Sequence, residues 1–245
     1  MAGSFEELRL EGVVDTQHIL LRSIAEQLKF PLMYIARQAE LSRGEETIPA
    51  DSFGNMQANA DMALRLVDSY ILGLDLAEKQ MTLELEPVPI SAVLYDVAHD
   101  LTPLARQHNT DIELVLSGRH GQVMAHTQGL IAALYSLGSV LSEVCSEDNS
   151  RGKLRIAAHR SVRGVVTGMY LDGVPSLQTT MYNARRLRHG SPRQPFMKLS
   201  SGTGAGIFIA DVILSSMNAH LRAGRFHGKH GLAATLQPSR QMQLV

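Results

Sequence analysis

The sequence predicts an α+β protein: an N-terminal antiparallel helical hairpin followed by an α/β sandwich with helices on one face of a mixed sheet. Two observations carry this. Apolar residues recur at helical spacing up to about residue 81, and from residue 82 short strand-like runs alternate with longer helical segments. A chain of 245 residues is long enough for one domain of about 150 residues and a smaller one, which places a boundary between 1–81 and 82–245.

The first helix is expected over 13–43, with Ile24, Leu28, Leu32 and Ile35 on one stripe. Pro31 lies inside it, although an interior proline costs about 3 kcal/mol through a lost hydrogen bond and a clash with the preceding turn. The chain turns between Gly44 and Pro49, and a second helix follows over 51–81. Its Met56, Ala60, Ala63, Val67, Tyr70, Leu74 and Ala77 alternate steps of four and three, a heptad seam. A lone hairpin cannot bury such a stripe, so pairing with a second copy as a four-helix bundle is expected.

Behind the hairpin, Thr82 to Glu86 alternates as a strand would, and 90–107 reads as a helix. Strands are expected at Ile112 to Leu116 and Gly121 to Met124, followed by a strongly apolar helix over 128–145. Lys153 to Arg160 and Gly164 to Leu171 read as consecutive strands. Residues 173–203 are rich in Gly, Pro, Ser and Arg without periodicity and read as a long loop. A helix at 205–217 and strands near 219–225 and 231–237 complete the sandwich.

Composition narrows the function classes. With 44% hydrophobic and 19% charged residues and no apolar run near the roughly 20 residues of a membrane span, no membrane insertion is expected. The start, Met1 to Glu7, lacks the basic and apolar blocks of a signal peptide, which predicts a cytoplasmic protein. Cys145 is the single cysteine and reads as a small buried apolar residue; disulfides and cysteine-rich metal sites are excluded. Charge is lopsided. Residues 1–172 hold 14 basic and 23 acidic side chains, net −9, whereas 173–245 hold 9 and 1, net +8. The basic end could meet a nucleotide phosphate, the acidic half of its own dimer or an acidic partner protein; a nucleic-acid role lacks supporting aromatics.

The stretch Ala25-Glu26-Gln27-Leu28-Lys29-Phe30-Pro31-Leu32 resembles the acceptor box of sensor histidine kinases, Ser-His-Glu-Leu-Arg-Thr-Pro-Leu, mid-helix proline included. Ser201 to Ala210, with Gly202, Gly204 and Gly206, resembles the second glycine box that closes the ATP lid of the GHKL superfamily. Pro195-Phe196 stands upstream like its phenylalanine box, and Gly228-Lys229-His230-Gly231 resembles its closing signature. Glycines let a backbone approach phosphates, and a helix starting after them points free N–H groups at an anion. The resemblance spans about residues 15–238. It implies a hairpin that dimerises and a GHKL (Bergerat-type) ATP-binding sandwich.

Several chemical positions of that family have changed here. Glu26 stands where the phosphoaccepting histidine would be, and Gln27 where the acidic residue would take the imidazole proton. A carboxylate forms no phosphoramidate, and an amide is no base. Glu26 lies about 200° around the helix from Ile24, on the exposed side. His18, two turns earlier, has nothing of the box around it. In the helix 128–145, Ser136 and Val140 occupy the places of two asparagines, the second of which would help hold Mg²⁺; valine offers that hard cation no oxygen. Asp172 keeps the position that would accept a hydrogen bond from the adenine amino group, but Val174 and Ser176 replace both glycines of the first glycine box, and Leu232 or Ala233 the usual hydroxyl.

The resemblance, with these losses, implies a pseudokinase or adaptor of a two-component system. Such a protein forms a homodimer and meets a response-regulator receiver domain, or another histidine kinase, through Glu26, Lys29 and Pro31. No catalytic residue and no metal site are assigned. ATP is the one cofactor the resemblance admits, through Asp172, Gly202, Gly204 and Gly206 and without an ordinary Mg²⁺ site. The alternatives are an active histidine kinase or phosphotransferase with an altered acceptor box, and a basic nucleic-acid-binding module.

Overall fold

The computed structural model describes residues 3–42, 50–118, 121–146, 152–172 and 203–239. Helix α1 (Gly3–Ser42) runs unbroken through Pro31, and α2 (Ala50–Ala77) returns beside it. The elements that follow are β1 (Glu86–Pro89), α3 (Ile90–Gln107), β2 (Thr110–Ser117), β3 (Gln122–Ala125), α4 (Thr127–Ser146), β4 (Gly152–Ser161) and β5 (Gly164–Leu171). The chain closes with α5 (Thr203–Ser216), β6 (Arg222–Phe226) and β7 (Lys229–Leu236). The expected long loop at 173–203 lies, but for its last residue, outside the described residues.

Five strands form one sheet in the order β2-β4-β5-β7-β6. β2 runs parallel to β4, as the intervening β3 and α4 allow, and the other pairings are antiparallel. The tight β6–β7 turn has both His227 and Gly228 at positive φ, the two-residue geometry that matches strand twist. Gly231 is required for a different reason: a Cβ there would collide with the Met169 carbonyl and Tyr170 across the β5–β7 ladder.

β1 and β3 make a separate antiparallel ribbon, Glu86 opposite Ala125. This moves the strand expected at 82–86. Leu83 and Leu85 do pack against the core, but the pairing residues are the next four, whose Pro87 and Pro89 are tolerated because β1 pairs along one edge only, with β3.

Alternate residues of the strands, among them Leu154, Ile156, Met169, Leu171 and Leu232, join the apolar faces of α3, α4 and α5 in the main core. A smaller cluster of Ala157, Val166, Tyr170, Phe226 and Ala233 occupies the other sheet face. Residues Thr127–Cys145 of α4 are long and apolar enough, by length and composition, to cross a membrane. That corrects the expectation of no such run. The apolar content has a local cause, since 67% of the stretch is buried between its neighbouring helices and the sheet.

The hairpin packs on the outside of α4 and α5, making a third layer. Its buried α2 stripe is Asn59, Met62, Ala63, Leu66, Tyr70, Gly73 and Leu76, turned from the expected seam so that Met56, Ala60, Val67 and Leu74 are only half-buried. Gly73 lets α2 come close to α5, because a Cβ there would press on Ile209. Part of the stripe that called for a second copy is therefore buried within the chain itself. On α1, Ile24 and Leu28 pack against the core while Leu32 stays exposed.

On the sheet face away from the helices, Arg155 donates from Nε and Nη2 to Glu113 Oε2 at 3.1 and 2.9 Å. This guanidinium, chiefly through the hydrogen bonds, holds the Glu113 carboxyl below its ordinary 4.5. A carboxyl lowered on folding stabilises the fold above its unfolded-state value and loses that contribution as pH falls through the folded one. Glu113→Gln is therefore expected to flatten the loss of urea stability between about pH 5 and pH 3, with little change in acid sensitivity elsewhere; an unchanged pH profile would contradict this.

Candidate functional site

The residues singled out by the acceptor-box pattern all lie on α1, where it crosses α2 and faces α5. Glu26 is exposed, its side chain 43% accessible, and accepts a hydrogen bond from Arg22 Nε at 3.1 Å one turn earlier. Lys29 is exposed, and Pro31 is buried. Gln27 points the other way. Its Oε1 accepts a hydrogen bond from the Tyr70 hydroxyl of α2 at 3.2 Å, and the same hydroxyl lies 3.5 Å from Ser23 Oγ. Burial pushes the Tyr70 hydroxyl up to about 12, so it stays protonated and acts as the donor. Gln27 thus presents an amide that ties the two hairpin helices together.

The glycine run meets this hairpin directly. Gly204 and Gly206 are buried within the first turns of α5, which begins at Thr203. Gly206 falls within the helix expected over 205–217, Gly204 joins it because the helix starts two residues earlier, and both lie where helix packs closely on helix. A Cβ on Gly206 would collide with Val140 of α4, lie 3.3 Å from the Ser136 carbonyl oxygen and 3.7 Å from Gln27 Nε2. The acceptor box, the glycine box and the two changed asparagine positions thus converge on one spot. Val140 is fully buried there. The Ser136 hydroxyl is also buried and has no hydrogen-bond partner among the described residues.

Asp172 closes β5 and lies elsewhere, two-thirds exposed, with Lys229 of β7 donating to its Oδ2. A carboxylate engaged by an ammonium is a poorer acceptor for an adenine amino group. Leu232 and Ala233, at the hydroxyl position, are buried in β7. Gly202, Val174, Ser176 and Pro195-Phe196 fall outside the described residues, as does the side chain of His18. Cys145 is half-buried beside Thr110, and burial raises its thiol, which suits the apolar role expected of it.

Three contacts were not legible in the sequence. Tyr70 reads there as one more seam residue, and its link to Gln27 crosses 43 positions. Lys229 belongs to a recognisable turn, but nothing in the pattern pairs it with Asp172. Phe30 of α1 stacks on His108 at the end of α3, with ring centroids 5.3 Å apart and planes at 29°, joining hairpin to sandwich.

A hairpin followed by a five-stranded sandwich with three helices on one face is the architecture of the histidine-kinase cytoplasmic core, and the chain has a histidine-kinase-like GHKL fold. Among solved structures, full-length ShkA in complex with AMPPNP superposes with a TM-score of 0.52 at 15% identity, over 96% of this chain and 46% of that one. The Acinetobacter baumannii histidine kinase AdeS matches 87% of this chain and 98% of its own, at 15% identity and a TM-score of 0.49. The catalytic domain of histidine kinase ThkA matches 63% of this chain and 96% of its own, at 13% identity and a TM-score of 0.48. No protein-family model matches the sequence, and no curated protein matches it by sequence.

Tyr70→Phe removes the hydroxyl that joins Gln27 and Ser23 but keeps the ring. It should lower stability by about 1 kcal/mol in urea unfolding without altering the far-ultraviolet circular dichroism. No loss at all would mean that the hydrogen bond adds nothing to the hairpin.

Proposed function

We propose that the protein is a pseudokinase or adaptor of a two-component pathway, acting in the cytoplasm as a homodimer that contacts a response-regulator receiver domain. One observation carries this reading: the acceptor helix keeps its shape and exposure while its chemistry is absent. Glu26 and Lys29 face solvent while Pro31, two residues beyond Lys29, is buried, and Gln27, at the base position that the resemblance implies, is turned inward to Tyr70. An exposed lysine beside an exposed carboxylate is suited to the acidic pocket of a receiver domain, and such contact requires no phosphoryl transfer.

Support for the dimer comes from the outer side of the hairpin. Leu21 and Leu32 of α1 and Phe53, Leu64 and Ile71 of α2 are all more than half exposed. Asp61, Asp68 and Asp75 recur every seven residues on α2, and Arg22 and Lys29 are seven apart on α1. Apolar residues flanked by opposite charges on two helices fit a four-helix bundle in which α1 of one copy faces α2 of another.

A second reading, phosphoryl transfer from bound ATP, draws on the Ser136 hydroxyl, buried and without a hydrogen-bond partner among the described residues, on the helix that packs against the glycine-containing start of α5, where helix N–H groups favour an anion. It ranks below the first because Gln27 and Val140 supply neither base nor metal ligand.

Sedimentation equilibrium on the full chain should give a dimer, and the double variant Leu64→Asp/Ile71→Asp a folded monomer. In fluorescence titrations against purified receiver domains from the same genome, Lys29→Glu should weaken binding at least tenfold. A monomeric parent chain, or receiver binding indifferent to Lys29, would overturn the proposal.

A further inference from the structure

Between the hairpin and the sandwich lies a cavity of about 320 Å³, bordered by residues of α1, α2, α3 and α4. Gln27 lines it, so it adjoins the spot where Gln27 Nε2 approaches Gly206. Its buried apolar lining is Met62 and Leu66 of α2 and Leu104 of α3. From α1 come Pro31, which is buried, and Phe30, whose ring stacks on His108. Met33, 60% exposed, borders the same space next to solvent.

The volume and lining belong to the lower end of small-molecule sites, in which an apolar body meets only a few polar groups. The polar side chains around this space are already engaged. Glu26 accepts from Arg22 at 3.1 Å, Gln27 Oε1 accepts from Tyr70 at 3.2 Å, and Ser139 Oγ donates to the Ser136 carbonyl at 3.0 Å. Glu143 is engaged as well. Burial lowers His108 below its ordinary 6.5, so the imidazole is neutral at pH 7 and adds an aromatic face rather than positive charge. Lys29, the one lining charge without a partner among the described residues, is exposed, where water solvates it. A charged ligand brought inside would lose its hydration without gaining a buried counter-charge, a cost that an uncharged one avoids. The ring pair and the thioethers of Met33 and Met62 select further, because aromatic faces and polarizable sulfur make favourable contacts with a flat ring.

We propose that this cavity is a binding site for a small uncharged aromatic molecule, whose ring packs against Phe30 among Met62, Leu66 and Leu104. Because α1, α2, α3 and α4 all contribute, an occupant bridges hairpin and sandwich and holds them in the docked arrangement. The inference rests on the cavity alone and stands whether or not the chain proves to be a pseudokinase.

Indole is the probe, titrated into the full chain at neutral pH and followed by saturation-transfer NMR and by the thermal midpoint. Saturable binding with a Kd on the order of 1 mM is expected for a ligand of this size, with a rise in the midpoint. Tryptamine and indole-3-acetate carry the same ring with a positive and a negative charge, and each should bind at least fivefold more weakly than indole. Met33→Trp, at an exposed position, should fill the open side of the space and abolish binding while the circular dichroism is unchanged. Phe30→Leu keeps an apolar side chain but removes the ring, and should weaken indole severalfold, again in a folded chain. Absence of saturable indole binding, equal or tighter binding of either charged indole, full binding by Met33→Trp, or unweakened binding by Phe30→Leu would each overturn the proposal.

Discussion

The structure depends on the seating of α2 against α4 and α5. Met62, Leu66 and Tyr70 are nearly inaccessible, and Gly73 removes the one side chain that would hold α2 away from Ile209. Burying side chains of this size stabilises by roughly 1.5–3 kcal/mol each. This contact sets the position of α1, because α1 reaches the sandwich mainly across α2. It follows that Gln27 rests beside Gly206, that Phe30 reaches His108 and that a cavity remains between them. Loosening α2 would dissolve all three features together.

Seen from this contact, the altered positions are occupied rather than vacant. Gln27 joins the hairpin helices through Tyr70, Asp172 holds Lys229, and Gly206 provides the room in which α5 meets Val140. Among the described residues, Gln27, Asp172 and Gly206, to which the sequence resemblance would assign roles in nucleotide or phosphoryl chemistry, each make an intramolecular contact. Substitutions at these positions would disturb packing as well as exchange functional groups, which is one ground for proposing a function of contact.

Most of the sandwich was legible because its signals are local. Helix 90–107 is found at those limits, and strands 152–161 and 164–171 lie within one residue of expectation, since alternation and helical periodicity need no knowledge of partners. The errors arise where tertiary contact decides. The ribbon strand is displaced to residues 86–89 by its pairing with β3, and the buried stripe of α2 is rotated because it faces α4 and α5 as well as α1. α5 begins at Thr203, two residues ahead of expectation, which takes Gly204 into the helix beside the already expected Gly206. At the candidate site the residue types were visible, and what each one touches was not, since Gln27–Tyr70 and Asp172–Lys229 join positions 43 and 57 residues apart.

The central claim is that the acceptor helix and glycine box persist as structure without phosphoryl chemistry. Its most direct test is incubation of the purified chain, and of Glu26→His, with Mg²⁺ and γ-labelled ATP, read as acid-labile label on the protein. The account predicts no label above background on either chain, because returning the histidine leaves Gln27 and Val140 in place. Robust labelling of the parent chain, or of Glu26→His alone, would contradict it.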